Sequence, residues 1–474
     1  MYALKPGLVG FLDEFDEALT AGKVPARAFN DPAIHELELD RIFTRAWVFL
    51  GHESEIPARG DYAQRRIGRD AFVLVRGEDG EIRVLFDACR HRGAQVCRAD
   101  RGNAALFRCP YHGWTYKNTG ALVGAPLLKD AYGSGFDKSE RGLLAAPHVE
   151  SLHGLIFASL DPDAPTLTEY LGDMKWHFDM IWGQCDQGWE VVGEPQRVVL
   201  PADWKTASEN FAGDDYHTIY LHRSAIETGI MEGPEGGDVT NWLELYHVAL
   251  GNGHHIAHAV APPEIEAPGF CGYPEEAWKL FSAKHQGEEL YEVASRTFGF
   301  VGAMFPNFGF ISFPFRFRRD LEPLPIMSVR VFEPRGPGEL VMWGWALCPR
   351  GVSEEFRRET YRTTMGTFSA GGTFEQDDTD PWTSIARTAG SAYGRKIGMN
   401  LDYTMGLEGV ASSQRVHDYP GPGVAHYPAL EEGAQRGFHR RWVQFVRADS
   451  YPEAMTPEQQ DAGPLTSNGG PPGG

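Results

Sequence analysis

The amino-acid sequence predicts an α+β protein: a small antiparallel β domain, followed by a larger domain of strands and long helices. Three observations predict it. Residues 61 to about 160 are short strand-like runs broken by turns. Beyond Pro165 the helical spacing of Leu167, Leu171, Met174, Phe178 and Ile181 gives way to strand runs such as VRVFEP and LVMWGWAL. Strands and helices do not alternate regularly, as a doubly wound sheet would require.

Taken in order, Asp31 and Pro32 supply the cap and first-turn proline of a helix whose apolar residues Ile34, Leu37, Ile42, Phe43 and Trp47 recur at near-helical spacing. FVLVR (72–76) and IRVLF (82–86) flank GEDGE, where Asp79-Gly80 signals a hairpin. A further helix is expected after Ser353. The stretch TPEQQDAGPLTSNGGPPGG at the end has almost nothing to bury and is expected to be disordered. The domains expected are 1–45, a helical segment packing with the larger domain; 46–160, the small β domain; 161–450, the larger domain; and 451–474, a disordered tail.

The 474 residues give room for two sizeable cores, and 42% hydrophobic with 23% charged residues is the balance of an ordinary soluble protein. Six cysteines in so long a chain make no disulfide framework and fit a reducing compartment. A net charge of -21 argues against nucleic acid and anionic membranes as partners. The sequence has no apolar run long enough for a membrane span, and its first residues carry acids where a signal peptide needs an apolar stretch. A cytoplasmic location is expected.

Chemistry enters with Cys89, His91, Cys109 and His112, a Cys-x-His pair and a Cys-x-x-His pair inside CRHRGAQVCRADRGNAALFRCPYHGW. Structural zinc also accepts two Cys and two His, but zinc fingers pair like with like across a gap, whereas each short loop here offers one of each. That alternation suits a two-iron, two-sulfide cluster with cysteines on one iron and histidines on the other, which is a Rieske centre. Cys97, without a partner at either spacing, is expected to be a packed thiol.

A second constellation lies in SENFAGDDYHTIYLH. His217 and His222 are five apart, which on a regular helix places them about 140° from one another, so the helix must widen, break or end for both to bind one metal. A π-type irregularity is a natural solution. Two histidines and a carboxylate make the facial triad of a non-haem ferrous oxygenase, and the acidic run GTFEQDDTD offers Glu375, Asp377, Asp378 and Asp380 as candidates.

The cluster motif, the segment ENFAGDDYHTIYLH, and TFSAGGTFEQDD followed by Trp382 together resemble the large (alpha) subunits of Rieske non-haem iron aromatic-ring-hydroxylating dioxygenases of the naphthalene and biphenyl type. The resemblance runs in order from about residue 25 to 447. It implies a catalytic domain with a large antiparallel sheet flanked by helices, one 2Fe-2S cluster on Cys89, His91, Cys109 and His112, and one mononuclear Fe(II) on His217, His222 and Asp378. It makes Asp214 the bridge between an iron-bound histidine and a cluster histidine of the neighbouring subunit. Helix geometry agrees, since Asp214 falls near the face of His217 while Asp215 points away. Asn210 joins Asp214 as a catalytic-site residue, and Phe211, Thr218, Val301, Phe368 and Phe374 fall at substrate-pocket positions. The implied assembly is a head-to-tail alpha trimer with three beta subunits, fed from NAD(P)H by a reductase and a ferredoxin. The implied reaction adds both atoms of dioxygen across an aromatic double bond to give a cis-dihydrodiol.

The pocket positions are mainly apolar, which fits an uncharged polycyclic or biphenyl-like hydrocarbon. FPFRFRR places Arg316 and Arg318 opposite Phe313, Phe315 and Phe317, a solvated arginine stripe or a grip on a substrate carboxylate. The alternatives are therefore a dioxygenase of an aromatic carboxylate such as phthalate, or a Rieske monooxygenase. An electron carrier or zinc-structured binding protein would not need the long region after the cluster motif. In GNGHHIAH, His254 and His258 stand four apart with no local acid, and a mobile loop near the channel entrance is expected.

Overall fold

The computed structural model describes residues 6–231, 245–262, 269–407 and 413–461. It divides into two compact units, Phe43–Leu167 and a discontinuous unit formed by Met1–Ile42 with Thr168–Gly474.

The smaller unit is built mainly of short antiparallel strands, with the short helix Leu128–Tyr132 among them. The run predicted as a hairpin is one: Phe72 pairs with Phe86 and Arg76 with Ile82. These strands lie in a four-stranded sheet, and Leu106–Arg108, Thr115–Lys117 and Leu122–Gly124 form a separate three-stranded sheet. Val73, Val75, Leu85, Phe107, Trp114 and Tyr116 make one core together with Cys89, Cys97 and Cys109. Cys97 is buried and its thiol donates to the Ala99 carbonyl, the packed thiol expected.

The larger unit is built on a nine-stranded antiparallel sheet. Its strands run in the spatial order Trp189–Leu200, Glu339–Pro349, Met327–Gly336, Phe308–Ser312, Thr297–Met304, His255–Val260, Tyr246–Ala249, Val424–Tyr427 and Gln414–Val416. The helix Trp204–Phe211 packs on the three strands at its middle. Close approach there needs Gly309, where a Cβ would lie 2.9 Å from the Phe211 ring. The N-terminal helices belong to the same unit. Asp31 caps the helix Pro32–Glu38 by accepting from Ala33 and Ile34, and Glu38 at its end accepts from Trp204, Trp442 and Lys205, the last at 2.5 Å. Buried charges of this kind persist only when so paired.

Two expectations fail here. His254, His255 and His258 are in no mobile loop: they are buried at the start of and along a central strand. The Gly-Asn-Gly that suggested a loop is only the turn into that strand, with positive φ at Gly251, Asn252 and Gly253. His254 bridges the Tyr170 carbonyl and the Phe305 N–H, while His258 bridges Tyr419 and Thr297. Nor is the chain disordered from 451 onward. Met455 is buried, and Gln460, fully buried in the helix Pro457–Asp461, accepts from the Gly253 N–H and donates to the His254 carbonyl. Composition registers how little this segment can bury alone and misses the two docked side chains. Residues 462–474, the rest of that tail, lie outside the described residues.

Replacing Gln460 by Ala leaves the buried Gly253 N–H unpaired and removes one of the two hydrogen bonds to the His254 carbonyl, which keeps that from the Leu250 N–H. Chemical denaturation of Gln460→Ala should show a loss of about 1–3 kcal/mol, where an unanchored tail would show none.

Candidate metal centres

Each cysteine of the first motif opens a tight backbone loop of the same design. Cys89 N–H donates to Ala94 while Gly93 N–H returns to the Cys89 carbonyl; Cys109 N–H donates to Trp114 while Gly113 N–H returns to the Cys109 carbonyl. Both closing glycines have positive φ, and a Cβ on Gly113 would also strike Pro126 at 2.9 Å. The thiols are buried, and Cys89 Sγ lies 3.1 Å from the Tyr116 hydroxyl. Burial, with Cys109 adding to it, pushes the Cys89 thiol up; cationic iron reverses this by binding the thiolate. The rings of His91 and His112 stand 4.5 Å apart. His91 stacks on Trp114 with Nε2 3.3 Å from the Tyr132 hydroxyl, and its Nδ1 is buried without a hydrogen-bond partner among the described residues.

The second centre forms where the chain after Trp204–Phe211 loses helical order. A 3-10 turn, Asp215–His217, runs into a single helical turn, Thr218–Leu221, and His222 leaves the helical region before Arg223–Thr228 begins. The irregularity is thus a break and not the π-type widening expected; it serves the same end, because both imidazoles now converge. The acid comes from the helix Thr373–Ala389. His217 Nε2 and His222 Nε2 lie 3.2 Å apart, and Asp378 Oδ1 lies 3.4 Å and 3.3 Å from them. Such edges suit one ion bound at about 2.1 Å from each donor. Asp378 Oδ1 is buried without a hydrogen bond among the described residues and faces both rings. Burial opposes its charge, but the two histidines outweigh that and hold it at about 2. Burial likewise opposes charging of His217, while Asp214 and Asp378 drive its pKa well above the usual range.

Outer contacts orient both rings. His217 Nδ1 donates to the Asp214 carbonyl and lies 3.6 Å from the Asp214 carboxylate. His222 Nδ1 lies 3.3 Å from Asp377 Oδ2. Each Nδ1–H so held leaves Nε2 as the donor atom. Adjacent acids on one helix therefore divide the work, and Asp377, weighed in the sequence only as a rival ligand, serves as an orienting group. Glu375 points elsewhere, into a buried pair with Arg330 at 2.7 Å.

Phenylalanines wall one side of this centre. Phe374 meets His222 edge-on at 4.8 Å and stacks flat on Phe368 at 4.9 Å. Phe315, a residue read earlier only as part of a stripe, packs on both. Phe211 reaches Phe332, which packs on Trp382, and the Trp382 indole lies 3.4 Å from Asn210 Oδ1. Thr218 opens the one-turn helix, half-buried. Val301 instead packs with Leu245, Ala257 and Ala429. Arg316 and Arg318 turn outward, to the Leu321 carbonyl and to Asp320.

A second group with ligand-like spacing, His247, His255 and Glu431, lies fully buried in the same unit. Burial opposes charging of His247, but Asp215 and Glu431 raise its pKa to about 10.

Residues 46–138 match the Rieske [2Fe-2S] domain, and residues 169–448 match the catalytic domain of ring-hydroxylating alpha subunits. The chain belongs to the ring-hydroxylating alpha-subunit family. Over 92% of its length it is 37% identical to the N,N-dimethyl phenylurea N-demethylase alpha subunit of Sphingobium sp. strain YBL2, covering 94% of that protein. It is 35% identical to the biphenyl 2,3-dioxygenase alpha subunit of Rhodococcus jostii, over 91% of this chain and 90% of that one. Among solved structures, naphthalene 1,2-dioxygenase from Rhodococcus sp. bound to indole superposes with a TM-score of 0.88 at 40% identity, over 94% of this chain and all of that one. As a ring-hydroxylating alpha subunit the protein is an oxidoreductase that uses a Rieske cluster and a mononuclear iron, and its donors fit both: thiols and imidazoles paired on two loops, and two imidazoles with a buried carboxylate oxygen that has no hydrogen bond among the described residues.

Asp378→Ala should lose mononuclear iron and turnover with the cluster absorbance intact. Asp377→Asn should keep a measurable site whose iron affinity falls about 10–100-fold. Iron analysis and visible spectroscopy on both variants separate the ligand from its neighbour, and the reverse pattern would exchange their roles.

Proposed function

We propose that the protein is the terminal oxygenase subunit for cis-dihydroxylation of an uncharged aromatic hydrocarbon of polycyclic or biphenyl-like shape, with electrons from NAD(P)H through a reductase and a ferredoxin. The observation that carries this reading is the wall of Phe315, Phe368 and Phe374 set directly beside His222. When bound, the iron supplies dioxygen activation, and the cluster supplies electrons one at a time.

The chain's own residues do the rest. Cys89, Cys109, His91 and His112 would hold the cluster, and His217, His222 and Asp378 would hold the iron. Asp377 and the Asp214 carbonyl keep the two iron-site imidazoles in the tautomer that presents Nε2. Phe374 and Phe368 offer flat apolar surface that buries a ring and excludes water. Asn210, tied to Trp382, together with Phe211 and Thr218, completes the proposed pocket, and Val301 stands apart from it. The outward turn of Arg316 and Arg318 favours a substrate without a carboxylate over phthalate-like ones. A second reading, oxidative N-demethylation of an aryl substrate, is favoured by the likeness to the phenylurea N-demethylase alpha subunit.

The working unit in this proposal is a head-to-tail alpha trimer with beta subunits, in which Asp214 links His217 to the cluster histidine His112 of the next copy. Iron and acid-labile sulfide assays should give three irons and two sulfides per chain; zinc without sulfide would end the reading. With biphenyl or naphthalene under labelled dioxygen, a cis-diol carrying both labelled atoms is expected. Formaldehyde from an N-methyl arylurea, with no diol from either hydrocarbon, would favour the second reading. Asp214→Ala should retain cluster absorbance but slow single-turnover oxidation of the reduced cluster, and an unchanged rate would remove the bridging role.

A further inference from the structure

The buried group His247, His255 and Glu431 has ligand-like spacing, yet its hydrogen bonds describe something else. His247 stands on the strand Tyr246–Ala249, which is paired on both sides within the large sheet. Both of its ring nitrogens are taken by carboxylates. Nδ1 lies 3.2 Å from Glu431 Oε1, and Nε2 lies 2.7 Å from Asp215 Oδ2. A ring that donates from both nitrogens has no lone pair left for a metal. Glu431 is anchored in turn by the Gly433 N–H and by Arg436 at 3.7 Å.

The other end of this chain of contacts is the turn that carries the iron-site residues. Asp215 follows Asp214 directly and precedes His217 by two. Gly213, one residue earlier, has φ +117, and a Cβ there would lie 3.0 Å from His255 and 3.1 Å from His247 Nε2. The turn is therefore pressed onto the two sheet histidines and held to one of them by a charged hydrogen bond. The paired acids Asp214 and Asp215 face opposite ways, one toward His217 and the other toward the sheet.

We propose that the Glu431–His247–Asp215 chain is a positioning device that locks the Asp214–His217 turn to the central sheet, setting the angle at which His217 meets the iron and at which Asp214 presents its carboxylate. A 3-10 turn followed by a single helical turn has few backbone bonds of its own and does not hold a side chain to the tolerance a metal ligand needs. A strand paired on both sides does. His247 and Asp215 touch neither iron nor substrate in this scheme and act only through the turn. The inference rests on the proposed iron site.

The test uses purified holoenzyme carrying Asp215→Ala, Asp215→Asn, or Asp215→Ala combined with His247→Phe. Readouts are iron and cluster content, the electron paramagnetic resonance of the ferrous site with nitric oxide as probe, and the rate of single-turnover cluster oxidation. Asp215→Ala is expected to keep cluster content, to broaden the nitric oxide signal, and to slow single turnover at least about tenfold. Asp215→Asn, which can still exchange a hydrogen bond with His247, should restore both, and the double variant should be no slower than Asp215→Ala. Should Asp215→Ala fail to fold, Asp215→Ser, too short to span to His247, carries the same expectation. A variant with a lowered melting temperature but an unaltered nitric oxide signal and rate would overturn the proposal, as would an extra metal equivalent per chain lost on His247→Phe. Wild-type protein giving no nitric oxide signal would instead overturn the iron site on which the inference depends.

Discussion

Convergence of three donor atoms within 3.2–3.4 Å of one another is the constraint around which the larger unit is arranged. Two imidazoles and a carboxylate from separate elements meet here, and the surrounding fold has to orient them. It does so by spending hydrogen bonds on the far side of each ligand. His217 is held through Asp214, His222 through Asp377, and the ligand helix bears on an aromatic stack that His222 itself caps. Pro381, one turn beyond Asp377, removes the N–H that would close on the Asp377 carbonyl, and the helix Thr373–Ala389 runs on through it.

The smaller unit solves a different problem with short elements. Its cysteine loops are tight, and each is closed by two backbone bonds: the glycine four residues on donates to the cysteine carbonyl, and the cysteine N–H donates to the carbonyl five residues on. Packing of Cys89 and Cys109 into the same core as Trp114 and Tyr116 then removes water from the sulfur atoms. Burial and the Tyr116 hydroxyl are the protein's means of adjusting the cluster's electronic environment.

Polar burial in the large sheet has the same logic. His254 and His258 each use both ring nitrogens to join two neighbours, so their cost of burial is offset by the bonds they make. Their four-residue spacing is a ligand signature on a helix, whereas on a strand it merely places both on one face. Glu38 shows the same pattern on a larger scale, gathering Lys205 and two tryptophan indoles into one buried network that binds the N-terminal helices to the rest of their unit.

Residue type and spacing by themselves determined the cofactor chemistry. The alternation of Cys and His on two short loops, the caps at Asp31 and Pro32 and the hairpin at Asp79-Gly80 are all local, and local stereochemistry is legible in a linear string. Tertiary structure alone decided the rest. It showed that the His217–His222 segment breaks instead of widening, that Asp377 orients while Asp378 faces the two rings, that Phe315 joins the wall, and that Asp215 is tied to His247 and Glu431. It also docked Met455 and Gln460 in a segment whose composition promised disorder. Each of these depends on partners tens to hundreds of residues away, and a hydrogen bond or ring contact at that separation leaves no period or spacing in the sequence to read.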